Sequence, residues 1–405
     1  MTAQRRVTII ALGGTIAMEQ AAPGEHAAPG TPAPVGPAGS PAADSPVPGV
    51  EVTRVQVANV GSPSLRFEHV RAALIAAEDA VGAGADGVVL THGTDTLEET
   101  AFLLSRLWTH EEPLVITGAM RPANAAGADG PANLRDAVLT ATAESARGLG
   151  VLAVFDSHLH LGDRVTKTSS RSVTAFDSVP SGPIGVVHAE DVRLVYRPTD
   201  ALLRLLAGTA ARDLPEALPS VPIIGTGLGD DTTMLDLIAA SVGAGPTGAD
   251  DGPGAGSAQP MAGAAQPLAG PARPVAGVVI NAAGMGHVPA GHMDPIRSLI
   301  SAGVPVVVST RIPEGGTSTY HYAYPGSEVD LMDAGAVMAG ALSAHKARLL
   351  LQMLLADAAQ GPSAPAAPAG PSAPAAPAGS PEPAAPAGLP TLADLRAAFD
   401  VFSYE

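Results

Sequence analysis

The chain has 405 residues, 46% of them hydrophobic, a net charge of −17 and a mean hydropathy of +0.23, so a buried core is expected, in two or three domains at most. So few Lys and Arg among so many carboxylates leave little to release counterions from a phosphate backbone, and no nucleic-acid partner is expected. With no cysteine, disulfide scaffolds, thiolate nucleophiles and zinc–sulfur sites are excluded, whereas a site of His and carboxylates remains open.

The first apolar run, Val7–Leu12, follows two arginines and is too short for the core of a signal peptide. No run of about 18 apolar residues follows, so no membrane span is expected and the predicted compartment is the cytoplasm. Val7–Leu12, Val52–Val57, Gly87–Leu90, Leu114–Thr117, Gly150–Phe155 and Gly185–Val187 read as strands, and Thr96–Leu107 as an amphipathic helix. A second series has strands at Val221–Ile224, Ala276–Asn281 and Val304–Ser309, with helices near Thr232–Ser241, Asp294–Ala302 and Ser343–Ala356. Nearly continuous apolar strands alternating with helices predict an α/β protein with mostly parallel sheets. The expected layout is a large N-terminal domain over 1–198, its mostly parallel sheet flanked by helices, a connector over 199–220 and a smaller C-terminal α/β domain over 221–405.

Glycine and proline number 46 and 39, and the excess is concentrated in Ala21–Pro48, Ala244–Pro274 and Gly361–Gly388. The last contains GPSAPAAPA twice in tandem. These stretches lack periodic hydrophobicity, so burial cannot offset the entropy of ordering them, and they are expected to be insertions outside the folded body.

Ligands of open α/β sheets bind beyond the carboxyl ends of the strands, so the strand exits carry the chemistry. The first exit reads Gly13-Gly14-Thr15: two glycines allow a tight turn and close backbone approach, and they present a hydroxyl. It lacks the third glycine of a dinucleotide fingerprint and the lysine of a P-loop. The third exit reads Thr91-His92-Gly93-Thr94-Asp95-Thr96-Leu97-Glu98-Glu99. Part of it is explained as a capping box, Asp95 or Thr96 with Glu98 or Glu99; a hydroxyl and a carboxylate side by side at a strand exit also suit acid–base chemistry. Only two of the 22 basic residues are lysines, Lys167 and Lys346. A lysine, unlike an arginine, acts as a base when it loses its proton. Lys346, beside Ala and Arg on a helix, is expected at the solvated surface, whereas Lys167 in Val165-Thr166-Lys167-Thr168 lies at a strand exit.

The segments LGGTIAM, THGTDTLEETA, ITGAMRP, ADGPANL and VTKT resemble those of bacterial L-asparaginases, the threonine amidohydrolases of the asparaginase/glutaminase family. The resemblance runs from Val7 to about Glu328. It implies hydrolysis of L-asparagine to L-aspartate and ammonia, with some glutaminase activity and no cofactor. It further implies a nucleophile at Thr15 on the loop with Gly14 and a relay of Thr94, Lys167 and Asp95. Lys167 would then act as base through Thr94; the adjacent carboxylate favours the charged lysine and burial the neutral one. Main-chain N–H groups near Thr94 would hold the oxyanion. Substrate contacts are implied at Asp95 for the α-amino group, Ser62 for the α-carboxylate and the Ala119 carbonyl for the amide. A homotetramer is implied, with each site completed by a neighbouring subunit.

Three positions depart from the family. Residues 18–50 contain no tyrosine where the lid usually carries one, Pro63 replaces a common glutamine, and His287 replaces an asparagine. Tyr322, near the position of the family's cross-subunit carboxylate, is a candidate substitute for the lid tyrosine. Other readings are a metal-dependent amidohydrolase using His158 and His160, a non-enzymatic nucleotide-binding module, and a subunit of a tRNA-dependent amidotransferase. Too little chain follows His160 for a complete (β/α)8 barrel, and the acidic charge disfavours the last.

Overall fold

A computed structural model describes residues 4–17, 45–198, 214–243, 274–360 and 389–403. The chain divides into two compact units, Met1–Ala217 and Leu218–Glu405. Most of the three Pro/Gly/Ala-rich stretches and of the connector lies outside the described residues. Within the first stretch Ser45–Pro48 are described, and Val47, 9% exposed, packs into the core. The folded body therefore already includes Val47, ahead of the boundary that composition suggests.

The first unit is built on an eight-stranded sheet. Its strands are β1 (Arg5–Ala11), β2 (Val50–Gln56), β3 (Gly87–Thr91), β4 (Leu114–Thr117), β5 (Val151–Phe155), β6 (His158–Leu161), β9 (Gly185–His188) and β10 (Asp191–Leu194). The order is β10-β9-β6-β5-β4-β3-β1-β2, and the two-stranded β7 (Thr166–Lys167) and β8 (Phe176–Asp177) pair separately. β1 to β5 run parallel; β6, β9 and β10 are antiparallel additions. Helices α1 (Phe67–Gly82), α2 (Leu97–Ser105) and α3 (Gly130–Thr142) pack on this sheet, and β3, β4 and β5 are buried along their whole length. Burial on both faces explains why these strands read as unbroken apolar runs. Val7, Ile9, Val89, Val115, Leu152 and Val154 share one cluster with Ala137 and Val138 of α3.

The chain passes from β1 to the edge strand β2 and returns to β3 on the other side of β1. The strand order therefore reverses between β1 and β3, the switch point at which such sheets open a crevice. Because β1 to β4 are parallel, the segments after all four emerge at one edge of the sheet.

β5 stops at Phe155, where the predicted strand Gly150–Phe155 also ends. Asp156 and Ser157 both take left-handed conformations, φ 46° and 59°, which make a two-residue hairpin turn into β6. Two contacts from α3 hold the turn: Asp156 donates its N–H to Asn133 Oδ1 at 3.1 Å, and Ser157 Oγ donates to Asp136 Oδ2 at 2.8 Å.

The second unit has an all-parallel sheet, β11 (Ile223–Gly225), β12 (Val278–Ala282), β13 (Val306–Thr310) and β14 (Val337–Met338), in that order. Helices α4 (Thr233–Gly243), α5 (Met293–Ser301), α6 (Glu328–Asp333) and α7 (Ala344–Gln360) accompany it. Lys346 is a correction: it is 3% exposed, on an α7 that also buries Ala344, Ala347, Leu350 and Leu351. Lys346 falls on the packed side of this helix with Ala347 and Leu350, while its neighbour His345 stays exposed. A further helix, α8 (Leu392–Asp400), follows the third Pro-rich stretch and buries Leu395 and Phe399. Its start is a capping box in which Thr391 Oγ1 accepts from Asp394 N at 3.1 Å and Asp394 Oδ2 from Thr391 N at 3.0 Å.

Candidate active site

Side chains and backbone from the first four strand exits and from β7 meet at one end of the first unit's sheet. After β1, Gly13 and Gly14 have φ of 104° and 94°, which glycine alone adopts without strain. A Cβ on Gly13 would lie 2.7 Å from the backbone N and O of Val60, and one on Gly14 would collide with the Cα and N of Gly93. The two glycines thus press the β1 exit between the exits of β2 and β3. Thr15, half-buried, opens a short 3-10 helix immediately beyond them.

The β3 exit is fixed from below by His92, which is fully buried. Its Nδ1 lies 2.7 Å from Gly93 O, an acceptor only, so Nδ1 carries the proton; Nε2 then accepts from Thr100 Oγ1 at 2.9 Å. Burial pushes the His92 pKa down to about 4, against a weaker upward effect of the Gly93 hydrogen bond.

Above His92, Lys167 Nζ donates to Thr94 Oγ1 at 2.9 Å and to Asp95 Oδ1 at 2.7 Å. The lysine side chain is 15% exposed, the Asp95 side chain 61%. Lys167 is anchored through its own N–H to Glu98 Oε2. Ser62, 3% exposed, accepts the Asp95 N–H on its Oγ at 3.2 Å and the Thr96 hydroxyl on its carbonyl at 2.9 Å. The capping-box explanation of this segment fails: Thr96 is the N-cap of α2 but makes no side-chain cap, and Asp95, Thr96 and Glu98 turn to Lys167 and Ser62 instead. The Asp95 N–H, one of the oxyanion donors expected near Thr94, faces Ser62.

The β4 exit places Ala119, 1% exposed, against the same end of the sheet. A Cβ on Gly130 would sit 3.0 Å from Ile16 Cγ1 and 3.3 Å from Ala119 Cβ, so the start of α3 touches both the Thr15 loop and Ala119. Asp129 and Asn133, for which the sequence suggested no role, organise this exit.

His158 and His160 do not form a metal pair. They are same-face residues of β6 with ring centroids 6.4 Å apart; His158 Nδ1 bonds to Asp156 O at 2.7 Å, and His160, 2% exposed, bonds to Ser178 Oγ at 2.9 Å. Among the described residues no group of three or more His, Asp or Glu is placed to hold a metal ion.

In the second unit, His287 Nε2 lies 2.8 Å from Glu328 Oε2, so it donates to that carboxylate, and its Nδ1 accepts from the Tyr324 hydroxyl at 2.8 Å. The other Glu328 oxygen accepts the Tyr322 N–H at 2.6 Å. Burial raises the Glu328 pKa, but these hydrogen bonds and those from its own and the His321 backbone hold it below the ordinary carboxylate value. The Tyr322 side chain is 47% exposed, its ring edge-on to His287 at 5.5 Å. Pro63 sits within the short 3-10 helix Ser62–Ser64, and the residues that would carry a lid tyrosine, 18–44, lie outside the described residues.

A family model described as "Asparaginase, N-terminal" matches residues 6–200, and one described as "Glutaminase/Asparaginase C-terminal domain" matches 221–363. The chain belongs to the asparaginase family. A "Probable L-asparaginase" of Deinococcus radiodurans is 33% identical over 350 residues, 86% of this chain and 92% of that one. A "Probable L-asparaginase periplasmic" of Haemophilus influenzae is 33% identical over 301 residues, 74% of each. The crystal structure of a probable cytoplasmic L-asparaginase from Campylobacter jejuni aligns with a TM-score of 0.66 at 26% identity, covering 87% of this chain and 95% of that one. Among the described residues of this asparaginase-family protein, no helix is long and apolar enough to cross a membrane.

Burial carries a pH consequence for this fold. His160, like His92, is driven down to about 4, mainly by desolvation. Each binds its proton more weakly folded than unfolded, so its contribution to stability is complete above about pH 6.5. It is lost as pH falls from there toward 4, by about 3 kcal/mol per histidine. Urea midpoints measured from pH 7 to 4.5 should fall steadily, and His160→Gln should flatten part of the slope. A midpoint unchanged over that range would show that neither imidazole is held neutral.

Proposed function

We propose that this protein hydrolyses the side-chain amide of L-asparagine to L-aspartate and ammonia through an acyl-enzyme on Thr15. The observation that carries the reading is one lysine Nζ bridging Thr94 Oγ1 and Asp95 Oδ1 on the loop that Gly14 touches. Thr15 Oγ attacks the amide carbon and passes its proton by way of Thr94 to Lys167 in its neutral amine form, which becomes the ammonium. The C–N bond then breaks, ammonia leaves with a proton, and water activated by the same base opens the ester. The exposed Asp95 carboxylate accepts the substrate's α-amino group, Ser62 meets its α-carboxylate, and the Ala119 carbonyl faces the amide nitrogen. The purified protein should release ammonia from asparagine over a concentration range, and glutamine is assayed beside it. Release from neither would dispose of the proposal.

The proposal extends to a cytoplasmic homotetramer in which Tyr322 reaches the Thr15 of a neighbouring subunit. Its support is the half-exposed phenol beside the His287–Glu328 pair, since a hydroxyl there could bond to that of Thr15. Tyr322→Phe keeps the ring and should lower kcat about tenfold, with light scattering reporting a tetramer for both proteins. An unchanged kcat would remove Tyr322 from the site, and an active monomer would remove the cross-subunit arrangement altogether.

A further inference from the structure

Asn133 is 2% exposed in the first turn of α3, and its whole carboxamide is engaged. Nδ2 donates to Gly118 O at 3.0 Å and to Asp129 Oδ2 at 3.1 Å, while Oδ1 accepts the Asp156 N–H at 3.1 Å. It thereby ties the β4 exit to α3 and to the β5–β6 turn. Asp129 in turn accepts the N–H of Met120 and of Arg121, each at 2.9 Å.

These contacts determine where the Ala119 peptide groups point. The 119–120 peptide is trans, as is every described peptide bond except Val179–Pro180, and in a trans peptide the C=O points opposite to the N–H. Since Asp129 holds the Met120 N–H, the Ala119 carbonyl must face away from Asp129. The same logic applies one peptide earlier: Asn133 holds Gly118 O, so the Ala119 N–H faces away from Asn133. A missing Cβ at Gly118, which would otherwise collide with His92 O, lets this run lie against the β3 exit.

We propose that Asn133 and Asp129 are positioning residues that aim the Ala119 carbonyl at the N–H of a bound carboxamide, and so set the enzyme's selectivity for an amide over an ester or acid. The inference rests on the asparaginase reading above and adds to it the origin of amide recognition. An acceptor of fixed direction strengthens binding only for a ligand that presents a donor. A β-ester of aspartate has no N–H at that atom and gains nothing from it.

The test compares L-asparagine with L-aspartic acid β-methyl ester as substrates of the full-length protein. Asn133→Asp keeps the acceptor for Asp156 N–H and removes both donors; Asp129→Asn, a change of one atom, gives a second route. In folded variants with wild-type thermal midpoints, kcat/KM for asparagine should fall about tenfold or more, mainly through KM, consistent with loss of one hydrogen bond. Turnover of the ester should change less than about threefold. A parallel fall for both substrates, an undiminished asparagine rate, or failure of both variants to fold would overturn the proposal by making the pair merely structural. Wild-type protein inactive on both substrates would instead remove the asparaginase reading, and this proposal with it.

Discussion

Thr15→Ala is expected to lower kcat for asparagine by about 10⁴-fold or more while leaving the fold intact. The hydroxyl opens a short 3-10 helix held in place by backbone rather than by the threonine side chain: Gly13 lies on Val60, Gly14 on Gly93, and Ile16 on Gly130. Removing a hydroxyl and a methyl from a half-buried position leaves those contacts untouched, so thermal unfolding should stay close to that of the wild type. Thr15→Ser keeps a hydroxyl and should retain measurable turnover. Appreciable turnover by Thr15→Ala in steady-state assays would end the nucleophile assignment.

Lys167→Met should cost about 10²- to 10⁴-fold in kcat, the usual worth of a positioned general base. Lys167→Arg makes the experiment sharper. An arginine keeps the ion pair to Asp95, which the structure gives at 2.7 Å, but its guanidinium stays protonated and cannot take a proton from Thr94. If the lysine acts by proton transfer, both variants are inactive and the double mutant with Thr15→Ala is little worse than either single one, because members of one relay act as a unit. A Lys167→Arg enzyme with more than about a tenth of wild-type kcat would mean that the positive charge, and not the proton, is what the site uses.

The parts of this protein that were legible from its residues are those where backbone geometry restricts the choice of residue. A Gly-Gly pair at a strand exit says that two other backbones come close, and they do, at Val60 and Gly93. Buried parallel strands announce themselves as apolar runs, so β1, β3, β4 and β5 lie where the pattern puts them. The misjudged places turn on which neighbour a residue meets. Asp95, Thr96 and Glu98 fit a capping box by spacing alone, yet Lys167 and Ser62, distant in sequence, claim all three. Lys346 has a surface composition around it, but the neighbours that enclose α7 come from elsewhere in the chain. Asn133 and Asp129 gave no chemical signal because, apart from each other, the partners that fix the β4 exit are backbone groups, which no side-chain motif reveals. The turn at Asp156-Ser157 lacks the glycine that usually marks such hairpins, and Asn133 supplies from outside what the local sequence lacks.

The covalent step itself is the most direct point of attack. The protein should be mixed with L-asparagine, quenched in acid within the first turnover and digested, and the peptides weighed. The account predicts an aspartyl ester on the peptide containing Thr15, absent from the Thr15→Ala and Lys167→Met proteins. An aspartyl group on the peptide containing Thr94 instead would contradict it, because the hydroxyl that Lys167 holds at 2.9 Å would then be the nucleophile and not the relay.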